Sequence, residues 1–173
     1  MIYYKSELAK FRAYSSEDEV GFMNDLTVSL FGHREIDDLR LLENQLAPII
    51  KELIQTKPYV SFLIGRNGEF DEFVASVIKR AQKEIGKENN DLTLVLPYRV
   101  ADIEYYEKYY DSTIIPECVY GVHPKASIVL KNRWMIENSD LIIVYVKRDK
   151  GGAYTAMKYA EKLNKKVINL TAK

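Results

Sequence analysis

Apolar residues occur along this chain in two alternating patterns, short continuous runs and longer stretches in which they recur every three or four positions. Continuous runs are typical of strands buried on both faces, and they lie at 26–31, 59–64, 92–96, 113–115, 141–146 and 166–170. Helical spacing lies between them, at 37–54, 70–85, 103–110, 125–137 and 153–163. Strands that alternate with helices predict a Rossmann-like α/β fold, with a mostly parallel central sheet in a three-layer α/β/α arrangement.

Residues 1–25 do not follow this alternation. They contain several aromatic residues and an acidic run at 17–19, and two interpretations stay open. The segment is either a peripheral helix or arm that contacts another subunit, or a flexible tail. We therefore expect residues 26–173 to form the Rossmann-like domain, and we expect a homodimer or higher homo-oligomer.

The chain has 25 basic and 25 acidic residues, so its formal net charge is zero. This balance argues against a general nucleic-acid coat and against a polybasic membrane contact. No apolar run is long enough to span a bilayer, and the N-terminus lacks the basic-then-apolar pattern of an export signal, so we expect a cytoplasmic protein. The single cysteine and two histidines give no basis for a disulfide or a metal site, and the sequence implies no cofactor.

Glycine-bearing loops follow two of the predicted strands and a polar turn follows a third. Ligands of such sheets lie beyond the carboxyl ends of the strands, where the strand order reverses. After the first strand comes Gly32-His33-Arg34, which offers hydrogen-bond donors beside the next helix. The alternative, given equal weight on this segment alone, is a tight turn with solvated charges.

The second loop is Gly65-Arg66-Asn67-Gly68, between a strand and a helix. It suits a phosphate but has neither the dinucleotide glycine pattern nor the lysine and hydroxyl of a P-loop. Two acids, Asp71 and Glu72, follow at the helix start. They either cap the helix or hold ribose hydroxyls; capping is favoured for one, and ribose contact stays open for the other.

Two further segments flank the most apolar strand. Before it, Arg133 lies on a helix where it can grip phosphate bidentately, or else pair with Glu137 four residues on. After it, Gly151-Gly152 opens the last long helix, whose free N–H groups and partial positive charge favour an anion. The alternative there is a plain tight turn. Thr155 either donates its hydroxyl to a phosphate or caps the helix.

In this order along the chain, four segments resemble the SLOG superfamily, which groups DNA-processing protein A, the "lonely guy" phosphoribohydrolases and the YpsA-like proteins, and the YpsA-like members are the nearest. The segments are 31–34, 65–71, 132–140 and 151–153, within a resemblance that covers about residues 26–171. It implies a Rossmann-like fold that binds a nucleotide or nucleotide-derived ligand, with the phosphate over the glycine loops. The implied ligand-binding residues are Gly32, His33, Arg34, Gly65, Arg66, Asn67, Gly68, Arg133, Gly151, Gly152 and Thr155.

The chain departs from the enzyme branch of that superfamily at its signature. The phosphoribohydrolases carry a proline, two glycines, any residue, a glycine, a threonine, any two residues and a catalytic glutamate. Here Gly151, Gly152 and Thr155 match, but Tyr154 replaces the third glycine and Lys158 stands at the glutamate. Glycosidic-bond cleavage needs a carboxylate, so the resemblance favours a small-molecule binding or sensing role over cleavage.

Two alternatives remain. The first is an N-glycosidic-bond hydrolase, similar to the nucleoside 5′-monophosphate phosphoribohydrolases, that uses Glu69, Asp71 or Glu161 in place of the missing glutamate. The second is DNA binding, as in one branch of the superfamily. The balanced charge argues against it, so nucleic acid is not expected as a partner.

Overall fold

The computed structural model describes residues 25–171, and within that range the chain forms one sheet flanked by helices. The strands are β1 (Leu26–Gly32), β2 (Val60–Ile64), β3 (Asn90–Val95), β4 (Ser112–Ile114), β5 (Leu141–Tyr145) and β6 (Lys166–Asn169). The helices are α1 (Leu39–Thr56), α2 (Glu69–Ile85), α3 (Ile103–Tyr109), α4 (Pro124–Glu137) and α5 (Gly152–Lys162). The predicted Rossmann-like three-layer fold is confirmed.

Each predicted element is present, and its ends differ by no more than two residues from the apolar pattern. One short element was missed, a 3₁₀ turn at Glu117–Val119 between β4 and α4. Three residues are too few to show a helical period, so the sequence carried no signal for it.

All strand pairs are parallel, in the order β4-β3-β2-β1-β5-β6. From β1 the chain moves outward in one direction through β2, β3 and β4. It then returns to the other side of β1, where Gly32 lies opposite Tyr145 of β5. The strand order therefore reverses between β1 and β5, which leaves a crevice at their carboxyl ends.

The sheet is covered on both faces, which explains the continuous apolar runs. Along β5, Ile143 and Tyr145 pack in the core formed with α1 and α2. Their neighbours Ile142 and Val144 pack in the core formed with α4 and α5. Because successive side chains of a strand point to opposite faces, a strand buried on both has no polar position to alternate with.

The expectation for the N-terminal segment concerns residues 1–25. Of these, only Asp25 belongs to the described part of the chain, so the expectation itself lies outside the described residues. The division into a segment of residues 1–25 and a domain of residues 26–173 stays a prediction, as does the homo-oligomer. None of the helices found between residues 25 and 171 is both long and apolar enough to cross a membrane.

Candidate functional site

A cleft of about 580 Å³ opens at the carboxyl ends of β1, β2 and β5. Its walls are the loops after these three strands together with one side of α4. Eight of the eleven residues expected to bind ligand line it: Gly32, His33, Arg34, Gly65, Asn67, Gly68, Gly151 and Gly152. The other three, Arg66, Arg133 and Thr155, do not line it. Whether the eight contact a ligand stays a prediction.

Two glycines let the β1–α1 and β2–α2 loops approach each other closely. A Cβ atom on Gly32 would lie 2.2 Å from Cγ of Phe70, and one on Gly68 would lie 2.7 Å from Cα of Arg34. The contact is closed by hydrogen bonds, since the N–H of Glu69 donates to the carbonyl of Arg34 at 2.9 Å. Gly32 and Gly68 therefore allow the two loops to pack together. Because they have no side chains, they also help to shape the wall of the cleft.

The double glycine at the start of α5 is open to the cleft. Gly151 has a φ of +91°, a conformation that favours glycine, and a Cβ on either Gly151 or Gly152 would meet no atom of residues 25–171 within 4 Å. The free N–H groups of the first helical turn lie beside this opening, which suits an anion. Thr155 is bound within that turn, because its hydroxyl donates to the carbonyl of Gly151 at 3.1 Å.

His33 is buried and joins the first loop to the loop after β5. Its Nε2 accepts the backbone N–H groups of Lys147 at 3.1 Å and of Arg148 at 3.2 Å. Burial lowers the pKa of His33, the charge of Arg148 adds to this, and Asp37 opposes it. The histidine is thus held neutral, and its Nε2 accepts hydrogen bonds where the sequence suggested a donor to ligand.

Both arginines absent from the cleft are held by tyrosines. Arg66 donates to the hydroxyl of Tyr106 on α3 at 2.7 Å, with its guanidinium carbon 5.3 Å from the centre of that ring. Arg133 lies 5.2 Å from the centre of the Tyr159 ring on α5. Among the described residues no ion pair joins Arg133 to Glu137, which instead accepts the hydroxyl of Tyr159.

The cation that α4 does bring to the cleft is Lys131, which the sequence analysis did not single out. It is only 3% exposed, and its ammonium group forms no hydrogen bond or ion pair with any residue in the described range. Burial lowers its pKa to about 8, while the carboxylate of Asp71 acts in the opposite direction. The sequence signal that could have found it is helical spacing, because Lys131 lies four residues before the apolar Met135 and so shares its side of the helix. The structure buries both residues.

Asp71 faces Lys131 across Gly65. A Cβ on Gly65 would lie 3.0 Å from Nζ of Lys131 and 3.1 Å from Oδ2 of Asp71, so both charged ends converge on that glycine. Burial raises the pKa of Asp71, against the charge of Lys131 and the N–H of Asn67, which donates to Oδ2 at 2.7 Å. Desolvation thus drives both members of the pair toward their neutral forms.

The favoured capping role for Asp71 or Glu72 is wrong as stated. The cap residue of α2 is Gly68, which makes no side-chain capping bond, and Asp71 reaches back beyond the helix start to the loop. A glycine occupies the cap position because a Cβ there would collide with Arg34. The acids still lie in the first turn, where they complement the helix dipole.

Of the three carboxylates considered for catalysis, only Asp71 lines the cleft. Glu69 accepts the backbone N–H of Ile36 at 2.9 Å and so holds the first loop. Glu161 pairs with Lys158 at 2.5 Å on an exposed side of α5. Lys158, which stands at the position of the missing glutamate, is therefore one partner of a surface ion pair.

The charges around the cleft are unbalanced, unlike those of the whole chain. From the described part of the chain, four cationic side chains line it, Arg34, Lys131, Arg148 and Lys150, against two carboxylates, Glu35 and Asp71. Arg34, Arg148 and Lys150 are exposed at the rim, whereas Lys131 is buried. Such a concentration of cations in a concave site attracts anions. In the described range no three potential metal ligands come together.

Comparison with known proteins bears on the fold. No family model matches the chain, and no curated protein matches it. Among solved structures it is similar to DNA processing protein A from Helicobacter pylori, a protein that binds single-stranded DNA, with 15% identity and a TM-score of 0.56. The likeness covers 82% of this chain and 63% of the other, so this chain spans less than two thirds of that protein. It shows that the two share the Rossmann-like α/β architecture over the matched region.

Proposed function

We propose that this cleft binds the phosphate of a nucleotide or nucleotide-derived small molecule, in a binding or sensing role. The observation that carries the proposal is Lys131, a buried ammonium group at the cleft that faces Asp71 across Gly65 but forms no ion pair or hydrogen bond with any side chain in residues 25–171. Lysine is almost never fully buried unless it is paired, because an uncompensated charge is costly to desolvate. A bound phosphate supplies the close ion-pair partner that Asp71, on the other side of Gly65, does not provide.

The surroundings of Lys131 support a phosphate over other anions. The N-terminus of α5 begins with two glycines that leave room for an anion against the backbone. The exposed guanidinium groups of Arg34 and Arg148 at the rim can add bidentate hydrogen bonds. A volume of about 580 Å³ falls in the usual range of small-molecule sites and fits a mononucleotide.

Asp71 is suited to the sugar of such a ligand. Its Oδ2 already accepts the N–H of Asn67, and a carboxylate has capacity for further donors. Ribose hydroxyls are donors of this kind, and acidic residues hold them in other nucleotide-binding folds. This assignment keeps the ribose contact that the sequence left open and gives it to Asp71 rather than to Glu72.

Thermal-shift screening tests the proposal. Nucleoside monophosphates, ADP-ribose, NAD and cyclic nucleotides are added separately, to wild type and to Lys131→Met. We expect at least one phosphate ligand to raise the unfolding temperature in a concentration-dependent manner, since a ligand that binds only the folded state stabilises it. Stabilisation by none of them, or a shift of the same size in Lys131→Met, would contradict a phosphate site.

Cleavage of an N-glycosidic bond is a second candidate, and it now depends on a single carboxylate. Asp71 lies in the cleft, and its raised pKa suits a group that must give or take a proton. Incubation with nucleoside monophosphates, followed by chromatography for the free base, tests it. Release of base that is lost in Asp71→Asn but retained in Glu161→Gln would establish hydrolysis.

Single-stranded DNA is a third candidate, because the structural neighbour binds it and cations line the cleft rim. The expectation that nucleic acid is not a partner has no support from that comparison. Binding of a labelled oligonucleotide at several salt concentrations tests this candidate. Affinity that falls linearly with salt on logarithmic axes would indicate phosphate-backbone contacts, whereas no binding at low salt would remove it.

A further inference from the structure

A second cavity, of about 540 Å³, lies beyond the carboxyl ends of β3 and β4. We name it the tyrosine cavity after Tyr98 and Tyr120, which line it. The tyrosine cavity and the phosphate cleft border successive turns of α4. Its first turn, with Pro124 and Ser127, borders the tyrosine cavity, and the next turn, with Lys131, borders the cleft.

The two tyrosines at this cavity are unusually free. Tyr98 is 40% exposed and Tyr120 is 66% exposed. The tyrosines of α3 contact one another, whereas neither Tyr98 nor Tyr120 makes a ring–ring or cation–ring contact within the described part of the chain. Much of each ring is therefore exposed, and its face is available to another planar group.

The rest of the cavity combines an apolar surface with a few polar groups that lack partners. Ile103, Ile115 and Val119 supply apolar surface. The hydroxyl oxygen of Thr113 is buried there with no hydrogen-bond partner. The charged groups of Arg99 and Glu107, which also line the cavity, form no hydrogen bond or ion pair among residues 25–171. Mostly apolar walls with a few unengaged polar groups are typical of small-molecule sites.

We propose that the tyrosine cavity is a second binding site, separate from the phosphate cleft, for a planar aromatic ring with a hydrogen-bonding edge, such as the base of a nucleoside. The ring stacks on Tyr120 and Tyr98. Its polar edge meets the unpaired charged groups of Arg99 and Glu107. Stacking of a base on an aromatic side chain needs no charge, so this site binds the uncharged nucleoside.

NMR titration with adenosine and with cytidine tests the proposal, with ribose as a ring-free control. We expect either nucleoside to shift the backbone amide signals of Thr113, Tyr120 and Gly121, and ribose to leave them unchanged. Tyr120→Leu keeps an apolar side chain but removes the ring, and we expect it to weaken nucleoside binding by at least about fivefold.

Two matched variants complete the experiment. Tyr105→Leu removes a tyrosine that is 70% exposed but does not line the cavity, and it should leave nucleoside affinity unchanged. Lys131→Met alters only the phosphate cleft, so it should leave these shifts unchanged and keep the two sites distinguishable. No shift at Thr113, Tyr120 and Gly121, shifts confined to the cleft, or equal affinity in Tyr120→Leu and wild type would each overturn the proposal.

Discussion

Nε2 of His33 lies 3.2 Å from the backbone nitrogen of Arg148 and accepts its hydrogen, which joins two loops that are 115 residues apart in the chain. The same nitrogen accepts the N–H of Lys147 at 3.1 Å. A histidine can accept at Nε2 only while that nitrogen is unprotonated. The loop that carries Arg148 and Gly151 therefore depends on a neutral His33.

Acidification should weaken the fold through His33. Burial, aided by the charge of Arg148, lowers its pKa below 6.5 against the opposing charge of Asp37. The unfolded chain then binds more protons, so the stability contributed by neutral His33 is complete above pH 6.5 and is lost as the pH falls through the lower folded-state value. We expect the unfolding temperature to fall more steeply between pH 7 and pH 5 in wild type than in His33→Asn.

The matched control for that experiment is His123→Asn. His123 is exposed and accepts only the N–H of Lys125 at the start of α4, a position where asparagine also caps well. Its curve should differ less from that of wild type than the curve of His33→Asn does. A His33→Asn curve that differs no more than this control would show that the link between the two loops does not respond to pH.

A second pH dependence should appear on the alkaline side, in ligand affinity. Burial lowers the pKa of Lys131 to about 8, so the free protein loses this cation as the pH rises through that value. Phosphate is already close to a dianion at pH 7 and changes little above it. We expect the affinity for a nucleoside monophosphate to fall between pH 7.5 and pH 9.5 in wild type, measured by calorimetry.

Lys131→Arg is the comparison for this second effect, because arginine keeps its charge across the whole range. Its affinity should be flat where that of wild type declines. If wild type and Lys131→Arg showed the same pH profile, Lys131 would not be the group that meets the phosphate.

The strands and loops were predictable from the sequence because their causes are local. Strands buried on both faces have no polar position, so runs such as 141–146 identify them directly. Glycine after a strand marks a turn whatever lies around it. These local signals were enough to predict that the loops with Gly32, Gly65, Gly68 and Gly151 meet at one edge of the sheet, and the structure places all four glycines around one cleft.

The side chains that point into the cleft were not predictable in the same way. Arg66 and Arg133 are drawn away by Tyr106 and Tyr159, which belong to other helices. Lys131 is buried because of how α4 packs beside Gly65, and lysine on a helix is ordinarily solvated. Directions of long side chains depend on neighbours distant in sequence, so a single sequence does not determine them.

The two kinds of glycine in the cleft should respond differently to alanine. In Gly32→Ala the new Cβ would lie 2.2 Å from the Phe70 ring, and we expect a loss of about 1–3 kcal/mol in the free energy of unfolding. Gly152 has open space and an ordinary backbone, so Gly152→Ala should be neutral or slightly stabilising. Urea unfolding of both variants decides, and equal losses would contradict the packing role of Gly32.

The arginines should divide into those that serve ligand binding and those that do not. Arg148 lines the cleft, so Arg148→Ala should weaken nucleoside monophosphate binding by about 1 kcal/mol or more, the typical contribution of a hydrogen bond to a charged group. Arg133 lies over Tyr159, so Arg133→Ala should leave affinity unchanged. Calorimetry on both variants tests this, and a larger effect from Arg133 would restore the prediction made from the sequence.

The central claim is that Lys131 is the counter-charge for a bound phosphate, and calorimetry on Lys131→Met tests it most directly. Methionine fills a similar volume without the charge, so the variant should bind the monophosphate identified by screening at least about tenfold more weakly. Lys158→Met, which removes an exposed cation outside the cleft, is the control and should bind like wild type. Undiminished affinity in a folded Lys131→Met would contradict the account.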